Sequence, residues 1–379
     1  MSTKIMFIAG EPSGDLHGSN LARALLSLSP ECKLFGIGGE QMRAAGVTTF
    51  HDIGELSVVG FFDVVRNFSK IKAVFEDALA KLDSEKPGIC VLIDYPGFNL
   101  QLAKLASRRG VKVIYYVSPQ IWAWAPSRIK TIKRYVDKMV VVFEFEKAIY
   151  EAAGVPVEFV GHPLLDVVKP TMDKENALRC FGLKGDTLTI GLMPGSRRSE
   201  VSRHMPVMLE AAGILRNVYH EGVQFIVSKS SIVAESFYGS RNYKLIEGNV
   251  YDLIKVCDLV ITSSGTATLE TAILGVPMVV IYKVSALSWF LFRPLVKVDH
   301  IAMVNIVAKK RIVPELLQGK ATAQNIAKEA LEILQNREKK EGIKNALSNV
   351  REKLGLPGAS LRAAKIILNL NLNLDLNLS

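Results

Sequence analysis

The chain has 379 residues, the length of about two domains of ~100–200 residues, so each half can bury a core of its own. Apolar residues make up 49% of it and charged residues 22%, an apolar share that leaves some surface sticky. The net charge of +10 suits an anionic partner, but no zinc-finger spacing, aromatic RNA-binding signature or Gly-rich basic tail accompanies it, which disfavours nucleic acid against a phosphorylated substrate or an acidic membrane face.

Met1-Ser-Thr-Lys leads directly into a strand at Lys4–Ala9 without the segments of a signal peptide, which predicts a cytoplasmic protein. The loop that follows, Gly10-Glu11-Pro12-Ser13-Gly14-Asp15-Leu-His17-Gly18, lacks Gly-x-Gly-x-x-Gly spacing and argues against a dinucleotide oxidoreductase. Asp15 either caps the next helix or lines a cleft. Between Leu56 and Lys70, Val58, Val59, Phe61, Phe62, Val64 and Val65 crowd beside Arg66 and Lys70. Too many of these positions are apolar for one packed stripe, and the segment reads as a helix lying on a membrane surface.

A strand at Ile89–Ile93 opens into Asp94-Tyr95-Pro96-Gly97-Phe98-Asn99. Asp94, flanked by apolar residues, is the best general-base candidate, because such a setting raises a carboxylate's pKa toward the task of accepting a hydroxyl proton. Capping is its plainer role. The strand Lys112–Val117 leads into a proline-bounded loop with Trp122 and Trp124, which either touch a sugar or acyl chain or pack in the core. Strands at Lys138–Phe143 and Val157–Val160 complete a βαβ alternation that predicts a parallel sheet. Gly161-His162-Pro163 and Pro170 then break regular structure, which places a hinge there and assigns residues 1–165 to the first domain.

The rhythm restarts with strands at Leu188–Met193, Val223–Val227, Tyr243–Ile246, Asp258–Thr262 and Met278–Tyr282, giving a second domain over 166–345. After the first of these comes Pro194-Gly195-Ser196-Arg197-Arg198-Ser-Glu200. An arginine there joins the N–H groups of a helix start in holding a diphosphate, while Glu200 suits a capping box with Ser196. After the fourth comes Ser263-Ser264-Gly265-Thr266-Ala267-Thr268-Leu-Glu270. Gly265 admits close approach of a ligand, the helix start forms an anion site, the hydroxyls add donors, and Glu270, one turn on, can accept both hydroxyls of a ribose. A plain capped turn explains the same residues. Two such turns at strand ends of one sheet fit the ligand position of open α/β sheets.

Helices are expected at Ala323–Gln335, Arg337–Leu354 and Ser360–Leu370, with residues 346–368 packing back on the first domain, and 369–379, a low-complexity Asn/Leu repeat, reads as a tail. Val284 to Val298 is interrupted by Arg293, Pro294 and Lys297, so no transmembrane helix is predicted. Cys32, Cys90, Cys180 and Cys257 lack Cys-x-x-Cys spacing and read as ordinary thiols, without zinc or disulfides. No Asp-x-Asp stands in a suitable loop, so helix dipole and arginine are expected in place of a metal, and no cofactor is implied.

Gly10-Glu-Pro-Ser-Gly-Asp15, Leu56-Ser-Val-Val-Gly60, Ile93-Asp-Tyr-Pro-Gly-Phe-Asn99, Val117-Ser-Pro-Gln-Ile-Trp-Ala-Trp124, Gly161-His-Pro163 and Pro194-Gly-Ser-Arg-Arg-Ser-Glu200 together resemble lipid-A-disaccharide synthase, in chain order as far as about Leu317. The resemblance implies a GT-B glycosyltransferase: an α/β protein of two Rossmann-like domains whose parallel sheets face an interdomain cleft. It implies an inverting hexosyl transfer from UDP-2,3-diacylglucosamine to 2,3-diacylglucosamine 1-phosphate, yielding UDP and a β-1,6-linked disaccharide at the cytoplasmic face of the inner membrane. By motif position it implies Asp94 as base. Arg197, with Gly195, Ser196 and Ser264–Thr268, would lie on the diphosphate, Glu270 on the ribose, and Asn305 would take a polar role at the donor site. Glu11, Ser13 and Asp15 would line the acceptor cleft. Some relatives carry a second acid where Gly97 stands, which would compete with Asp94 for the base role. The sequence leaves a homodimer open.

Two other classes share these features. A UDP-N-acetylglucosamine 2-epimerase would need several acid/base residues and no lipid surface, against which the Val58–Val65 patch argues. A non-catalytic nucleotide-binding or membrane-tethering protein would keep the anion turns and dispense with Asp94.

Overall fold

A computed structural model describes residues 3–56, 68–239, 243–285 and 299–375. The residues expected as the membrane patch, Val58, Val59, Phe61, Phe62, Val64 and Val65, lie outside this set. The chain divides into two compact units, one built from the residues up to Leu165 and from Leu354 onward, the other mainly from Asp166 to Lys353.

The first unit carries a seven-stranded sheet: β1 (Lys4–Ala9), β2 (Lys33–Ile37), β3 (Thr48–His51), β4 (Ile89–Ile93), β5 (Lys112–Tyr116), β6 (Lys138–Val141) and β7 (Val157–Phe159), in the order β3-β2-β1-β4-β5-β6-β7. Every pairing is parallel. Ile5 to Ala9 and Ile89 to Ile93 are all inaccessible to solvent, as strands covered by helices on both faces must be, which is why they read as unbroken apolar runs. β2 and β3 do not read that way: the first contains Gly36, and the second is Thr-Thr-Phe-His, half-exposed near one side of the sheet.

The second unit has β8 (Leu188–Met193), β9 (Val223–Lys229), β10 (Lys244–Glu247), β11 (Leu259–Ser263), β12 (Met278–Tyr282) and β13 (Glu315–Leu317), in the order β10-β9-β8-β11-β12-β13, again all parallel. The three-residue β13 is too short to give a sequence pattern. The helix Arg337–Lys353 packs on the helices Thr266–Ile273 and Met303–Ala308 and belongs to this unit, so the chain returns to the first unit at Leu354, later than the expected residue 346.

Arg362 fixes that return, its guanidinium donating to the Val160 carbonyl at 2.6 and 2.9 Å and to those of Pro357 and Leu356. The last helix, Ala359–Asp375, lies against the helix Pro12–Leu28. It runs on through Asn369-Leu-Asn-Leu, expected as a tail, because Ala363, Ala364 and Ile367 are fully buried and an anchored helix extends at one hydrogen bond per added residue. Cys32, Cys90 and Cys257 are buried and Cys180 is exposed, all as free thiols.

Candidate active site

In an open parallel sheet, ligands bind beyond the carboxyl ends of the strands where the strand order reverses. The reversal falls between β1 and β4 in the first unit and between β8 and β11 in the second. Register puts the relevant loops on one edge: Ala9 pairs with Ile93, Ile93 with Tyr116, and Tyr116 with Val140. The loops carrying Glu11, Asp94, Ser118 and Glu146 therefore leave that edge together.

Asp94 and Tyr95 both hold a left-handed backbone, φ +46°, and Val117 does so at +59°. Non-glycine residues bear about 1–3 kcal/mol of strain each in such positions, so the surroundings must enforce them. The Asp94 N–H donates to the Val117 carbonyl at 3.2 Å, and the Asp94 carbonyl accepts from the Tyr115 hydroxyl at 2.5 Å and from Asn99 Nδ2 at 2.7 Å. The Tyr95 hydroxyl donates to the Leu56 carbonyl at 2.8 Å. Gly10 serves this arrangement by absence: a Cβ there would overlap the Tyr95 ring. The Asp94 carboxyl is half-buried, and burial, reinforced by the charge of Glu11, pushes its pKa up to about 7 against the opposing pull of the Tyr95 N–H.

Glu11 and Ser13 are half-buried at the start of the helix Pro12–Leu28. Asp15 differs from its expected place in the acceptor cleft. It is 3% exposed, and its carboxylate accepts from the N–H groups of Gly39, Gln41 and Met42 at 2.7, 3.1 and 3.1 Å, so both oxygens are engaged in fixing the start of the helix Glu40–Ala44. His17 is buried with its ring edge-on to His162, 6.0 Å between centroids, and burial lowers its pKa to about 4.

Sequence reasoning missed Glu146. It is 1% exposed, accepts from Trp122 Nε1 at 3.2 Å through Oε1, and has no hydrogen-bond partner on Oε2 among the described residues. Burial lifts its pKa to about 8, with the charge of Asp94 acting in the same sense. Ser118 Oγ, bonded to the Tyr150 hydroxyl at 2.7 Å, completes a buried polar group behind the Asp94 loop. In sequence, Glu144-Phe-Glu146-Lys reads as a solvated first turn; the only clue was its place directly after a strand. Trp122 is half-buried, edge-on to Phe145 at 5.2 Å, which sets it between its two expected environments.

At the second reversal, Met193 pairs with Thr262 and Ser263 with Ile281, which brings the Pro194–Arg197 and Ser264–Gly265 turns to one edge. Glu200 Oε2 accepts from the N–H groups of Ser196 and Arg197 at 3.0 and 3.3 Å, and its other oxygen lies 3.6 Å from the Arg197 guanidinium. Gly195, φ +123°, is required because a Cβ would strike the Glu200 carboxylate. His204, also missed, ties this turn down: Nδ1 bonds the Pro194 carbonyl at 2.7 Å, and Nε2 accepts from the Lys283 N–H at 3.0 Å. Those partners fix the neutral tautomer, and burial lowers its pKa.

Gly265, φ +153°, and Thr266 are exposed at the head of the helix Thr266–Ile273, where no preceding turn supplies carbonyls for the first N–H groups. A Cβ on Gly265 would meet nothing within 4 Å, so space for a ligand is open there. The hydroxyls behave otherwise than expected: Ser264 Oγ donates to the Ile301 carbonyl at 3.2 Å, and Thr268, fully buried, donates to the Gly265 carbonyl at 2.8 Å. They shape the turn, whereas Gly265 and Thr266 stay exposed and Ala267 half-buried at the helix start. Glu270 is half-buried one turn on, 3.4 Å from the Tyr251 hydroxyl, and burial raises its pKa to about 7. Asn305 is a correction. It is fully buried, donates to Val313 O and Glu315 Oε1 and accepts from the N–H groups of Ile312 and Val313, so no polar atom remains for a nucleotide.

Among the described residues no helix is long and apolar enough to cross a membrane. Solved structures with this fold include a Staphylococcus aureus MnaA–UDP co-structure (TM-score 0.67, 16% identity, 97% of each chain) and the UDP-GlcNAc 2-epimerase of Neisseria meningitidis bound to UDP-GlcNAc (0.64, 13%, 97% and 100%). The calicheamicin glycosyltransferase CalG4 is also similar (0.60, 12%, 97% and 98%). At such identities the likeness speaks for the fold, a GT-B pair of parallel-sheet units. Sequence relatives go further: lipid-A-disaccharide synthases of Geobacter metallireducens and Geobacter sulfurreducens are each 47% identical over 97% of both chains, and that of Coxiella burnetii is 40% identical over 98% and 99%. The family model described as lipid-A-disaccharide synthetase matches residues 5–368, and the chain belongs to that glycosyltransferase family.

Proposed function

We propose that this chain joins UDP-2,3-diacylglucosamine to 2,3-diacylglucosamine 1-phosphate, with inversion, at the cytoplasmic surface of the inner membrane. The observation that carries the reading is the division of chemistry between the two strand-order reversals: a carboxyl with its pKa near 7 at one, and an arginine beside an open helix start at the other.

In this mechanism Asp94 takes the proton of the acceptor's 6-hydroxyl as that oxygen attacks the donor's anomeric carbon from the face opposite the diphosphate. The bond from that carbon to the diphosphate oxygen breaks, and the electron pair leaves with UDP. Arg197 and the N–H groups of Thr266 and Ala267 stabilise the charge that develops there, the work a metal does in other transferases. Glu270, its hydroxyl neighbour Tyr251 holding it in place, accepts from the ribose hydroxyls.

Purified protein given the two acylated substrates should release UDP and form the β-1,6-linked disaccharide; no disaccharide from folded protein rules the reading out. Val58, Phe61 and Phe62 changed to Ser should lower recovery with membranes while leaving the melting temperature in place, and insolubility would mark them as core instead.

A further inference from the structure

At the edge of the first sheet where the Asp94 loop leaves, the loops after β5 and β6 each bring one aromatic ring toward solvent. The first runs into the short helix Ile121–Trp124, in which Ile121 and Ala123 are buried and Trp122 between them is half-buried. The second leads into the helix Glu144–Ala152, where Phe145 is half-buried next to the buried Glu146. The two rings meet edge to face, 5.2 Å between centroids. Phe143 stacks on Phe145 at 5.5 Å and lies 5.0 Å from the His162 ring, both of them buried, so the half-exposed pair stands on a packed aromatic base.

Glu146 fixes the indole. Its Oε1 accepts from Trp122 Nε1 at 3.2 Å, and Oε2 has no hydrogen-bond partner among the described residues. A buried carboxyl with one oxygen left over is a costly way to fill space that a leucine would fill without an orphan, so packing does not account for it. A bond at Nε1 together with the edge contact to Phe145 does hold the plane of the indole. Burial pushes the carboxyl's pKa up to about 8, so the anchor adds little negative charge near Asp94 at neutral pH. The same loop is tied to the proposed base: Val117 accepts the Asp94 N–H at 3.2 Å, and Tyr115 donates to the Asp94 carbonyl. The C–H faces of a pyranose ring carry the partial positive charge that the negative face of an aromatic ring attracts.

We infer that Trp122 is the platform on which the acceptor's glucosamine ring packs, and that Glu146 is the positioning residue that holds the indole for that contact. The inference rests on the proposed reaction, which brings a sugar hydroxyl to Asp94. An acyl chain is the other occupant an aromatic face could take, and the two make different demands. A sugar contact is the same for every acyl length, whereas a chain contact grows with each methylene.

The test is calorimetric binding of short- and long-chain acceptors, without donor, to the full chain and to Trp122→Leu, Trp122→Phe, Glu146→Leu and Glu146→Gln, followed by steady-state kinetics. Trp122→Leu should weaken acceptor binding about tenfold, by the same factor at every chain length, and leave UDP affinity unchanged. Trp122→Phe, which keeps a smaller ring without the N–H, should weaken it about threefold. Glu146→Leu should match Trp122→Phe, whereas Glu146→Gln, which keeps an oxygen for the indole N–H, should bind as the unaltered protein does. Glu146→Leu added to Trp122→Phe should bring no further loss, because the bond it served is already gone. In turnover the losses should fall on the acceptor KM rather than on kcat. Unchanged acceptor affinity in folded Trp122→Leu, or in Trp122→Phe if the leucine variant does not fold, overturns the platform. A loss that grows with acyl length assigns Trp122 to the chain and overturns it as well. Additive losses in the double variant overturn the role of Glu146. If the acceptor binds the unaltered protein and loses the stated factor in Trp122→Leu, the platform stands even where no disaccharide forms, and only the reaction fails. Folded, unaltered protein that binds no acceptor overturns the reaction and the platform together.

Discussion

Asp94→Asn separates activity from stability in opposite directions. The substitution keeps size and shape, and the backbone around it is held by Val117, Tyr115 and Asn99 rather than by the carboxylate. Loss of a general base costs about 10²–10⁴ in rate, so kcat should fall by that factor while UDP still binds. The carboxyl's pKa is raised from 3.8 to about 7, so ionised Asp94 is worse off in the fold than in the unfolded chain. The full difference is about 4 kcal/mol, and the carboxyl's partial access to solvent screens it to about 2 kcal/mol. The sign follows from linkage: with the folded pKa above the unfolded one, stability is complete below pH 3.8 and is lost progressively up to about pH 7. Asparagine has no such loss. The variant should therefore match the unaltered protein in melting temperature near pH 4 and exceed it at pH 8 by about 4–8 °C, using about 2–4 °C per kcal/mol for a domain of this size. In the unaltered enzyme kcat/KM should rise with pH through about 7 as the base form appears. Undiminished turnover in Asp94→Asn refutes the base role. A melting difference that does not change between the two pH values refutes the account of its environment.

Glu146→Gln should behave differently, because a group with pKa near 8 is already neutral at pH 7. Activity should stay within about twofold there, and stability should no longer decline as the pH climbs from 4.5 toward 8; thermal melts across that range check it. Arg197→Ala should lower kcat by about 10²–10³, with Arg197→Lys only partly restoring it because a point charge replaces a planar fork; steady-state kinetics with the acylated pair decide. Asn305→Ala should cost about 3 kcal/mol of stability through the buried partners it leaves unpaired, with UDP affinity of the folded protein unchanged. Denaturant melts and a UDP titration read those two effects separately, and a selective loss of UDP binding would return Asn305 to the donor site.

The contrast between these residues explains what was legible in the sequence. Ile5 to Ala9 and Ile89 to Ile93 announce themselves because a strand buried on both faces must be apolar throughout, whereas Thr48–His51 and Glu315–Leu317 are short and leave no periodic signal. Asp94 and Arg197 are candidates because each lies in the loop after such a run, and the end of a buried parallel strand is where this architecture exposes its loops. Position after a strand, however, does not distinguish a side chain aimed at a ligand from one that holds the loop. Asp15 and Asn305 carry the right chemistry and are consumed by partners up to 27 positions away, contacts that no local pattern encodes, and Thr268 is turned onto the Gly265 carbonyl three residues before it. Glu146 fails in the other direction, since its helix of charged and apolar residues gives no sign that one carboxylate turns inward to meet Trp122. A carboxylate that accepts three N–H groups, as Asp15 does, builds the loop; one left half-buried with its pKa near 7, as Asp94 is, is available to take a proton. That distinction is made by hydrogen bonds across the fold, and it is why Asp94 stands out as a candidate from the chain alone while the residues that hold its loop do not.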